Sequence, residues 1–262
     1  MSKPNKKRHS ITAFFPIYND EATVELLANK TRAVLEELTD DWEIVFVDDC
    51  SPDRSGKIAD RCAAEDPRIK VIHHNTNRGY GGALKSGFAA ASKELIFYTD
   101  GDAQYDVNEL RLLMAHIDEA DMVNGYKIKR GDRFYRRLLG RIYHWTAKIL
   151  FGLPIRDVDC DFRLMKRYII DSIDLESDSG VICVEMMAKI VGCGYKIVEV
   201  PVHHYPRIAG ESQFFRFGRI MRVLRGLFRQ WVKLILLRGK TRYRERAAAL
   251  RAAAVGMAQS QS

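Results

Sequence analysis

The stretch Leu95–Gln104 has the sequence LIFYTDGDAQ, in which an uncharged run is followed at once by two aspartates. The run Leu95–Thr99 is rich in aromatic and branched side chains, which is typical of a strand buried on both faces of a sheet. Asp100 and Asp102 stand two positions apart, so on an extended backbone both carboxylates point to the same side. The stretch therefore predicts a buried strand whose carboxyl end presents a pair of carboxylates.

Apolar runs of the same kind alternate with segments of helical spacing along the first half of the chain. The runs are Ile11–Phe15, Glu43–Val47, Ile69–His73 and Met122–Asn124, and the helical segments are Glu21–Leu38, Ser55–Glu65, Tyr80–Ser92 and Glu109–Ile117. This alternation predicts an α/β fold with a mostly parallel central sheet flanked by helices. Farther on, the patterns predict helices at Phe134–Phe151 and Val181–Val191, a strand at Lys196–Val200 and a loop at Pro201–Ser212.

The overall composition excludes several classes of protein. The 262 residues are 47% hydrophobic and 29% charged, which excludes a wholly disordered chain and allows one large domain. The five cysteines are odd in number and form no CxxC pair, so neither a disulfide framework nor a zinc site is expected. The start of the chain is basic without a following apolar region, and no run of about 18 apolar residues is present. We therefore expect neither a secretory signal nor a transmembrane helix.

The aspartate pair that follows the Leu95–Thr99 strand is a candidate metal site. Mg²⁺ and Mn²⁺ prefer oxygen ligands and often join one or two carboxylates to a substrate diphosphate. Gln104 offers a further neutral oxygen, and Gly101 leaves room for a ligand near the backbone. The alternative is a solvated turn in which Asp106 caps the next helix.

Two other segments carry groups that suit a ligand. Asp48 and Asp49 end a second apolar run and are expected to accept hydrogen bonds from a nucleotide, unless Ser51 or Asp53 merely caps the following helix. The segment 77–83, NRGYGGA, opens a helix with glycines. It suits a phosphate cradle at a helix N-terminus, but close packing of that helix explains it equally well, since no standard phosphate-loop spacing is present.

In this order, the segments resemble the inverting GT-A glycosyltransferases of family 2, and above all the dolichol- and polyprenyl-phosphate sugar synthases. The resemblance covers residues 11–213 and rests on FPIYND at 15–20, VDDCSPD at 47–53, RGYGGA at 78–83, DGDAQ at 100–104, DFR at 161–163, and EVP at 199–201 followed by RIAGES at 207–212. It implies the GT-A nucleotide-sugar-binding fold, a divalent metal, Mg²⁺ or Mn²⁺, and a nucleotide-diphosphate sugar as donor.

The resemblance also assigns roles to single positions. The donor-binding residues would be Pro16, Tyr18, Asp20, Val47, Asp49, Asp100, Gly101, Asp102, Lys127 and Arg207. The metal ligands would be Asp100, Asp102 and Gln104, and Asp102, Lys127 and Arg207 would take part in catalysis. Lys127 falls where the family has an arginine near the diphosphate, and three further positions depart from the family pattern: Asp20 replaces a glutamate, Asp161 a glycine and Gln213 a lysine.

The expected reaction moves a sugar to a polyprenyl phosphate, either dolichyl or undecaprenyl. Such a phosphate is largely ionised near neutral pH and needs cations rather than a base. Several arginines follow the catalytic half of the chain and could bind this phosphate. The expected ligands of the acceptor phosphate are Arg130, Arg133, Arg163 and Ser212. An arginine run of this kind is equally consistent with a solvated helix face.

Two alternatives stay open at this point. A glycosyltransferase of the same fold that acts on a saccharide hydroxyl would need a base, for which Asp157, Asp159 and Asp161 are candidates. A nucleic-acid-binding protein would use the basic C-terminal region, but the chain contains no known nucleic-acid-binding module, so no nucleic-acid partner is expected. Adjacent histidines, such as His73 and His74, face opposite sides of a strand and are expected to be structural.

The net charge of +8 is unevenly distributed. We expect residues 1–10 to form a basic arm, 11–213 the catalytic domain, 214–240 a basic helix and 241–262 an Ala-rich frayed helix and tail. The segment 214–240 carries eight basic residues and no acid, whereas residues 10–213 carry a net charge of −7. At helical spacing, the segment 214–240 has cations on one side and apolar residues on the other. The cations are Arg222, Arg225, Arg229 and Lys233, and the apolar residues are Phe217, Met221, Leu224, Phe228, Trp231 and Ile235.

This pattern is typical of an amphipathic helix that lies on an anionic membrane. It predicts a peripheral protein on the cytoplasmic face, unless the apolar face packs on the domain or binds a membrane-protein partner.

Overall fold

The computed structural model describes residues 9–130, 145–207, 217–237 and 243–260, without the side chains of 129, 130, 217–220, 222 and 257–260. The strands are β1 (Ile11–Ile17), β2 (Trp42–Asp48), β3 (Ile69–His73), β4 (Leu95–Thr99), β5 (Met122–Arg130), β6 (Phe162–Lys166) and β7 (Ile197–His204). The α-helices are α1 (Val24–Leu38), α2 (Ser55–Glu65), α3 (Gly79–Ala90), α4 (Leu110–Met114), α5 (residues 145–151), α6 (Arg167–Ser172), α7 (Val181–Cys193), α8 (Phe217–Trp231) and α9 (Arg244–Ser260). Short 3₁₀ turns at Val107–Glu109 and Ile117–Glu119 flank α4, and α8 continues into a π turn at Val232–Leu236.

The strands form one seven-stranded sheet in the order β3-β2-β1-β4-β6-β5-β7. All neighbours pair in parallel except β6, which runs antiparallel to both β4 and β5. The sheet is therefore mostly parallel, as the sequence predicts. The chain moves outward from β1 to β3 and then returns to place β4 on the other side of β1, so the strand order reverses between β1 and β4. In open α/β sheets, ligands bind beyond the carboxyl ends of the strands at such a point.

Helices cover both faces of the sheet, and each face has its own apolar core. Successive residues of β1 point to opposite faces, so Phe14 joins one core and Phe15 the other. The first core contains α3 and α7, and residues of α8 and α9 pack against it. The second core contains α1, α2 and α4. Burial on both faces explains why the central strands appear in the sequence as continuous apolar runs.

Two strands extend beyond their predicted ends. The strand expected at Met122–Asn124 continues to Arg130, and β7 includes the first four residues of the loop expected at 201–212. Pro201 suggested a strand end because proline donates no hydrogen bond to a ladder. It is tolerated because β7 is the edge strand of the sheet and Pro201 is exposed.

The C-terminal tail differs from the prediction of a frayed end. Residues 244–260 form α9, which packs against α6 and α7 and buries Tyr243 and Ala247. Arg244 Nε donates to the carbonyl of Gly192 at 2.7 Å, and Arg251 pairs with the buried Asp121 at 3.0 Å. Contacts with segments far away in sequence therefore hold this Ala-rich helix.

Helix α8 presents two different apolar faces. Leu227, Gln230 and Leu234 are buried against the domain, and α8 contacts α7. Met221, Leu224 and Phe228, which belong to the predicted apolar face, are exposed. Along the described part of the chain, no helix combines the length and apolarity needed to cross a bilayer.

Candidate active site

The carboxyl ends of β1, β2 and β4 meet in one place, at the reversal of strand order. The Gly101 N–H donates to the carbonyl of Pro16 at 3.2 Å, and the Asp49 N–H donates to the carbonyl of Ile17 at 3.1 Å. Thr23 Oγ1, after β1, donates to the carbonyl of Gly101 at 2.6 Å. These bonds tie the three polar turns that the sequence singles out into one cluster of loops.

Each of these turns contains a non-glycine residue in the left-handed region. The φ angles are 63° at Asn19, 60° at Cys50 and 55° at Ala103. Such a conformation is costly for alanine and cysteine and persists only where the surroundings impose it, which is common at ligand sites. The turns are therefore shaped by their mutual contacts rather than by local preference.

Asp100 and Asp102 lie together just past β4 in a desolvated environment. Asp100 accepts a hydrogen bond from the Tyr80 hydroxyl at 2.8 Å. Burial raises the pKa of Asp100 well above its usual range, and the charges of Asp161 and Asp102 raise it further. Burial also raises the pKa of Asp102, partly offset by the guanidinium of Arg207. The pair is a concentration of negative charge that burial and mutual repulsion make unfavourable.

Arg207 lies directly beside this pair. Its Nη2 donates to Asp102 Oδ2 at 2.6 Å. Arg207 follows β7. The segment just before it is held to the turn after β4, because the Tyr205 N–H donates to the carbonyl of Gln104 at 2.8 Å. The structure therefore brings Arg207 and Asp102 together, although they are 105 positions apart in sequence.

The donor set fits a hard divalent cation. Asp100 and Asp102 supply carboxylate oxygens. Burial raises the pKa of both groups although Arg207 lies beside Asp102, so a bound cation would stabilise their charged forms. Among the described residues, no three His, Cys, Asp or Glu side chains form a ready metal-binding group. The pair therefore suits a cation that completes its coordination with oxygens of a bound ligand. Gln104 Nε2 donates to the carbonyl of Tyr205 at 3.0 Å, so its amide links two loops in this conformation.

Gly101 has a different role from the one expected. A Cβ at this position would lie 2.7 Å from both the Pro16 carbonyl oxygen and Ile17 Cγ2. The space beside Gly101 is thus filled by the end of β1 rather than open to a ligand. Glycine is needed because the β4 turn packs directly on the β1 backbone.

The residues expected at the donor separate into surface groups and buried groups. Tyr18 is exposed, and its N–H donates to Asp20 Oδ2 at 2.9 Å. Burial raises the pKa of Asp20 to about 6, and the nearby Asp102 charge contributes to the rise. Pro16 is buried, and Val47 has no exposed surface. Tyr18 and Asp20 can therefore face a ligand, whereas Pro16 and Val47 shape the site from beneath in this conformation.

Asp49 anchors the glycine-rich segment. Its carboxylate accepts the N–H of Arg78 at 2.7 Å and the N–H of Gly79 at 2.9 Å. His74 Nδ1 lies 2.7 Å from Asp49 Oδ1, and His74 Nε2 lies 2.8 Å from Ser86 Oγ. The carboxylate is therefore already surrounded by partners, and a nucleotide would meet Asp49 as part of this network.

The phosphate-cradle interpretation of residues 77–83 is wrong for three backbone N–H groups, which already donate to other parts of the chain. Arg78 and Gly79 donate to Asp49, and Gly81 donates to the carbonyl of Asp178 at 3.0 Å. A cradle needs such groups to be available to an anion. Close packing, the alternative that the sequence left open, explains the glycines instead.

The other acidic positions also have structural partners. His73 Nδ1 lies 3.0 Å from Asp48 Oδ2, so the adjacent histidines His73 and His74 hold two adjacent aspartates. Asp53 accepts the N–H of Ser55, the first residue of α2, at 3.0 Å. Asp53 therefore holds the start of α2 through a turn, but the N-cap residue of the helix is Arg54 and no side chain caps it.

Lys127 points toward the loop that precedes β6. Its Nζ donates to the carbonyl of Asp159 at 2.6 Å and lies 3.9 Å from the Asp157 carboxylate. Asp157 Oδ2 also accepts the Lys127 N–H at 3.4 Å. The expected role of Lys127 at a diphosphate would require this side chain to leave the 157–159 loop.

The assignment of Arg163 to the acceptor phosphate is wrong in this structure. Arg163 has no exposed surface and lies within the sheet. Its guanidinium donates to Asn124 Oδ1 at 2.9 Å, to the Tyr98 hydroxyl at 2.5 Å and to the Val158 carbonyl at 2.5 Å. A buried cation is stable only with such partners, and here they use its donors internally. Arg133, Ser212 and the side chain of Arg130 lie outside the described residues.

Sequence reasoning missed two groups at the site. Tyr80 lies inside the glycine-rich segment but was not assigned a role, although its hydroxyl contacts Asp100. Asp161, noted only as a departure and a candidate base, raises the pKa of Asp100 through its charge. The position of Tyr80 within the motif was the available signal, but its partner is 20 positions away.

Two curated proteins are similar to this chain over most of its length. The chain is 31% identical over 219 residues to the undecaprenyl-phosphate 4-deoxy-4-formamido-L-arabinose transferase of Enterobacter sp. (strain 638), covering 82% of this chain and 65% of that protein. The protein of the same name from Salmonella paratyphi A is 30% identical over 216 residues, with the same coverage. The chain thus spans about 65% of the length of these curated relatives.

Solved structures of glucosyl-3-phosphoglycerate synthase from Mycobacterium tuberculosis share the fold. The complex with Mn²⁺, UDP and glucosyl-3-phosphoglycerate has a TM-score of 0.64 at 15% identity and covers 86% of this chain and 79% of that one. The complex with Mg²⁺ and UDP has a TM-score of 0.63, with the same identity and coverage. The fold is therefore the GT-A fold. A family model described as glycosyl transferase family 2 matches residues 12–174, and the chain accordingly belongs to glycosyl transferase family 2.

Proposed function

We propose that this protein transfers a sugar from a nucleotide-diphosphate sugar to a polyprenyl phosphate, with inversion at the sugar. The observation that carries the proposal is the Asp100 and Asp102 carboxylate pair, with Arg207 bonded to Asp102, at the reversal of strand order. The names of the curated relatives support undecaprenyl phosphate as the class of acceptor. The bond between the sugar and the nucleotide diphosphate breaks as a bond to the acceptor phosphate oxygen forms.

The leaving nucleoside diphosphate carries the charge that the site must stabilise. A bound Mg²⁺ or Mn²⁺, held by Asp100 and Asp102, would neutralise that charge. Arg207 lies next to Asp102 and would contribute its own positive charge to the departing phosphates. Tyr18 and Asp20 follow the carboxyl end of β1, where the Asp102 charge acts on Asp20, and they would bind the nucleotide.

The acceptor chemistry favours a phosphate over a saccharide hydroxyl. A hydroxyl acceptor would need a carboxylate to take its proton, and the sequence offers Asp157, Asp159 and Asp161. Asp157 accepts backbone N–H groups and lies near the Lys127 ammonium, and Asp161 lies 3.4 Å from the buried Arg163. Two of the candidate bases are thus tied into structural contacts. An ionised phosphate acceptor needs no base.

The exposed face of α8 would hold the protein at the membrane that contains this acceptor. Met221, Leu224 and Phe228 are exposed, and so are the cations Arg225 and Arg229 of the same helix. This combination matches an anionic bilayer surface, in which apolar side chains enter the headgroup region and cations meet lipid phosphates. We propose a peripheral protein on the cytoplasmic face, with a membrane-protein partner as the alternative.

The test uses the purified full chain with Mn²⁺ and a panel of UDP- and GDP-sugars. Release of nucleoside diphosphate is measured with and without undecaprenyl phosphate, and the lipid product is followed by mass spectrometry. We expect release to depend on the lipid phosphate. Stimulation by a saccharide and not by the lipid would instead support the hydroxyl acceptor.

The variant Asp102→Asn tests the assigned carboxylate pair in the same assay. It removes one carboxylate charge from the pair, and we expect turnover to fall at least about 100-fold, since lost electrostatic stabilisation of a reacting charge has effects of this size. Asp106→Asn is the control, because Asp106 caps the nearby 3₁₀ turn through the N–H of Asn108. Full activity of Asp102→Asn would contradict the assigned site.

A further inference from the structure

The glycine-rich start of α3 is covered by the backbone of another segment. A Cβ on Gly81 would lie 2.3 Å from the Ser177 carbonyl oxygen and 2.7 Å from the Asp178 carbonyl carbon. A Cβ on Gly79, which has a φ of 77°, would lie 2.6 Å from the Asp178 carbonyl oxygen. We call residues 176–178 the bridge segment. Glycines at 79 and 81 are required because the bridge segment lies directly on them.

Between these two glycines stands Tyr80, which reaches the carboxylate pair. Its hydroxyl donates to Asp100 Oδ1 at 2.8 Å. The backbone on either side of Tyr80 is therefore held: Gly79 N–H by Asp49 and Gly81 N–H by the Asp178 carbonyl. The position of the hydroxyl thus depends on the bridge segment as well as on α3.

A buried ion pair on α7 supports the bridge segment from the other side. Glu185 has no exposed surface, and its two carboxylate oxygens accept the N–H groups of Glu176 and Ser177, each at 2.9 Å. Lys189 Nζ lies 2.7 Å from Glu185 Oε1 and also donates to the Asp174 carbonyl. A buried charge pair of this kind is costly unless its remaining hydrogen bonds are satisfied. Here those bonds fix a loop that has no part in the proposed chemistry.

Helix α8 contacts the same segment. Gln230, which is buried, donates from Nε2 to Ser177 Oγ at 3.0 Å. One turn further on, Lys233 forms an ion pair with Glu176. The bridge segment therefore lies between α8 and the start of α3, and it connects a C-terminal helix to the residues around Asp100.

We propose that Tyr80 is a positioning residue for the Asp100 carboxylate and that the bridge segment, held by α7 and α8, keeps Tyr80 in place. This inference rests on the proposed metal-dependent function, to which it adds four residues that would not themselves bind the metal: Tyr80, Glu185, Lys189 and Gln230. Hydrogen bonds to a metal-binding carboxylate orient it, and their loss reduces metal affinity about 10–100-fold in other proteins.

The first test measures Mn²⁺ binding to the full chain by electron paramagnetic resonance, with Mn²⁺ alone and with added UDP or GDP. We expect Tyr80→Phe to raise the Kd for Mn²⁺ at least about tenfold, the lower end of the effect of such partners. Tyr168→Phe is the matched control, because it also removes a hydroxyl bonded to an aspartate, Asp121, outside the site. The two variants should unfold at similar temperatures.

The possible results separate the inference from the function beneath it. Unchanged Mn²⁺ affinity in Tyr80→Phe, with binding by the wild-type chain, would overturn the positioning role alone. Absence of Mn²⁺ binding by the wild-type chain in every condition would overturn the metal site and the inference together.

The second test follows the bridge segment without any ligand. Gln230→Ala removes the bond to Ser177 and should accelerate hydrogen exchange in peptides covering residues 78–84 several-fold, while exchange in residues 11–38 stays unchanged. Arg225→Ala, at an exposed position of the same helix, is the control. Unchanged exchange at 78–84 in Gln230→Ala would show that α8 does not support Tyr80 through the bridge segment.

Discussion

Single residues around the site owe their identity to what lies against them. Arg163 is an example: as a cation next to the catalytic half it suggests a phosphate ligand, yet it lies in the sheet with Tyr98 and Asn124 as partners. Gly81 is another, since the backbone of the bridge segment occupies the place of a side chain. In both cases the deciding neighbour is distant in sequence.

Replacing Gly81 with alanine tests this close approach. Its Cβ would lie 2.3 Å from the Ser177 carbonyl oxygen, so the backbone must shift. We expect a loss of unfolding free energy of about 1–3 kcal/mol, as for other overpacked sites. Gly256→Ala is the control, because nothing lies within 4 Å of a Cβ at that exposed position of α9. There, alanine should stabilise by about 0.5–1 kcal/mol. Urea unfolding measures both changes, and equal stability of the two variants would contradict the packing.

At the level of elements, one side of α8 is buried against the domain and another side is exposed. The face that contains Leu227 and Gln230 packs on the domain, and the face that contains Leu224 and Phe228 is exposed, as are Arg225 and Arg229. On the predicted apolar face, Met221, Leu224 and Phe228 are exposed, whereas Trp231 and Ile235 are partly buried and pack against the first core. The packed-helix interpretation therefore holds for part of that face, and the membrane interpretation stays a prediction for the exposed part. A helical period locates the apolar residues but does not say which of two apolar sides the domain covers.

A matched pair of leucines separates these faces. Leu227 is 2% exposed, so Leu227→Ala should lower the free energy of unfolding by about 2–5 kcal/mol. Leu224 is 48% exposed, so Leu224→Ala should change stability by less than about 0.5 kcal/mol. It should instead weaken binding to anionic liposomes about tenfold, since burial of a leucine contributes about 1.5 kcal/mol or more.

Liposome sedimentation at low salt and thermal unfolding give the two measurements. Wild-type liposome binding that Leu224→Ala leaves intact would contradict the assigned face. Absence of binding by the wild-type chain would favour a membrane-protein partner.

At the scale of the whole molecule, the end of the sheet opposite the site carries a pH-sensitive contact. His9, before β1, lies 2.8 Å from Glu94 and 2.7 Å from Asp118, which belong to two other segments. Hydrogen bonding to Glu94 raises the pKa of His9 above its ordinary value, and the contact with Asp118 adds to the rise. Protonation of His9 therefore favours the folded chain.

The sign of the effect predicts a pH dependence. The stabilisation from His9 is complete below the unfolded pKa of about 6.5 and is lost as pH rises through the higher folded value. We expect the Tm of the wild-type chain to fall more steeply above pH 6.5 than that of His9→Gln. Differential scanning fluorimetry from pH 5.5 to 9 compares the two curves. Parallel curves would show that the contact with Glu94 and Asp118 does not contribute.

The sequence alone sufficed for the α/β fold and the aspartate pair at the end of β4, and the resemblance of its motifs in order sufficed for the family. The fold and the aspartate pair follow from local sequence. These depend on local pattern: a buried strand must be apolar along its length, and ligand groups follow where it ends. The metal ligands, the donor residues and the membrane face are still predictions, and the structure shows that Asp102 lies with Arg207.

Only the tertiary structure decided how the remaining groups are used. In the folded chain, Arg163 is buried and Lys127 bonds to the 157–159 loop. Helix α9 packs on the domain, and the bridge segment lies against Gly79 and Gly81. The physical reason is common to all of them. Whether a charge is buried or a glycine is required depends on the free energy of contacts with chain segments tens of residues away, and local periodicity does not contain those contacts.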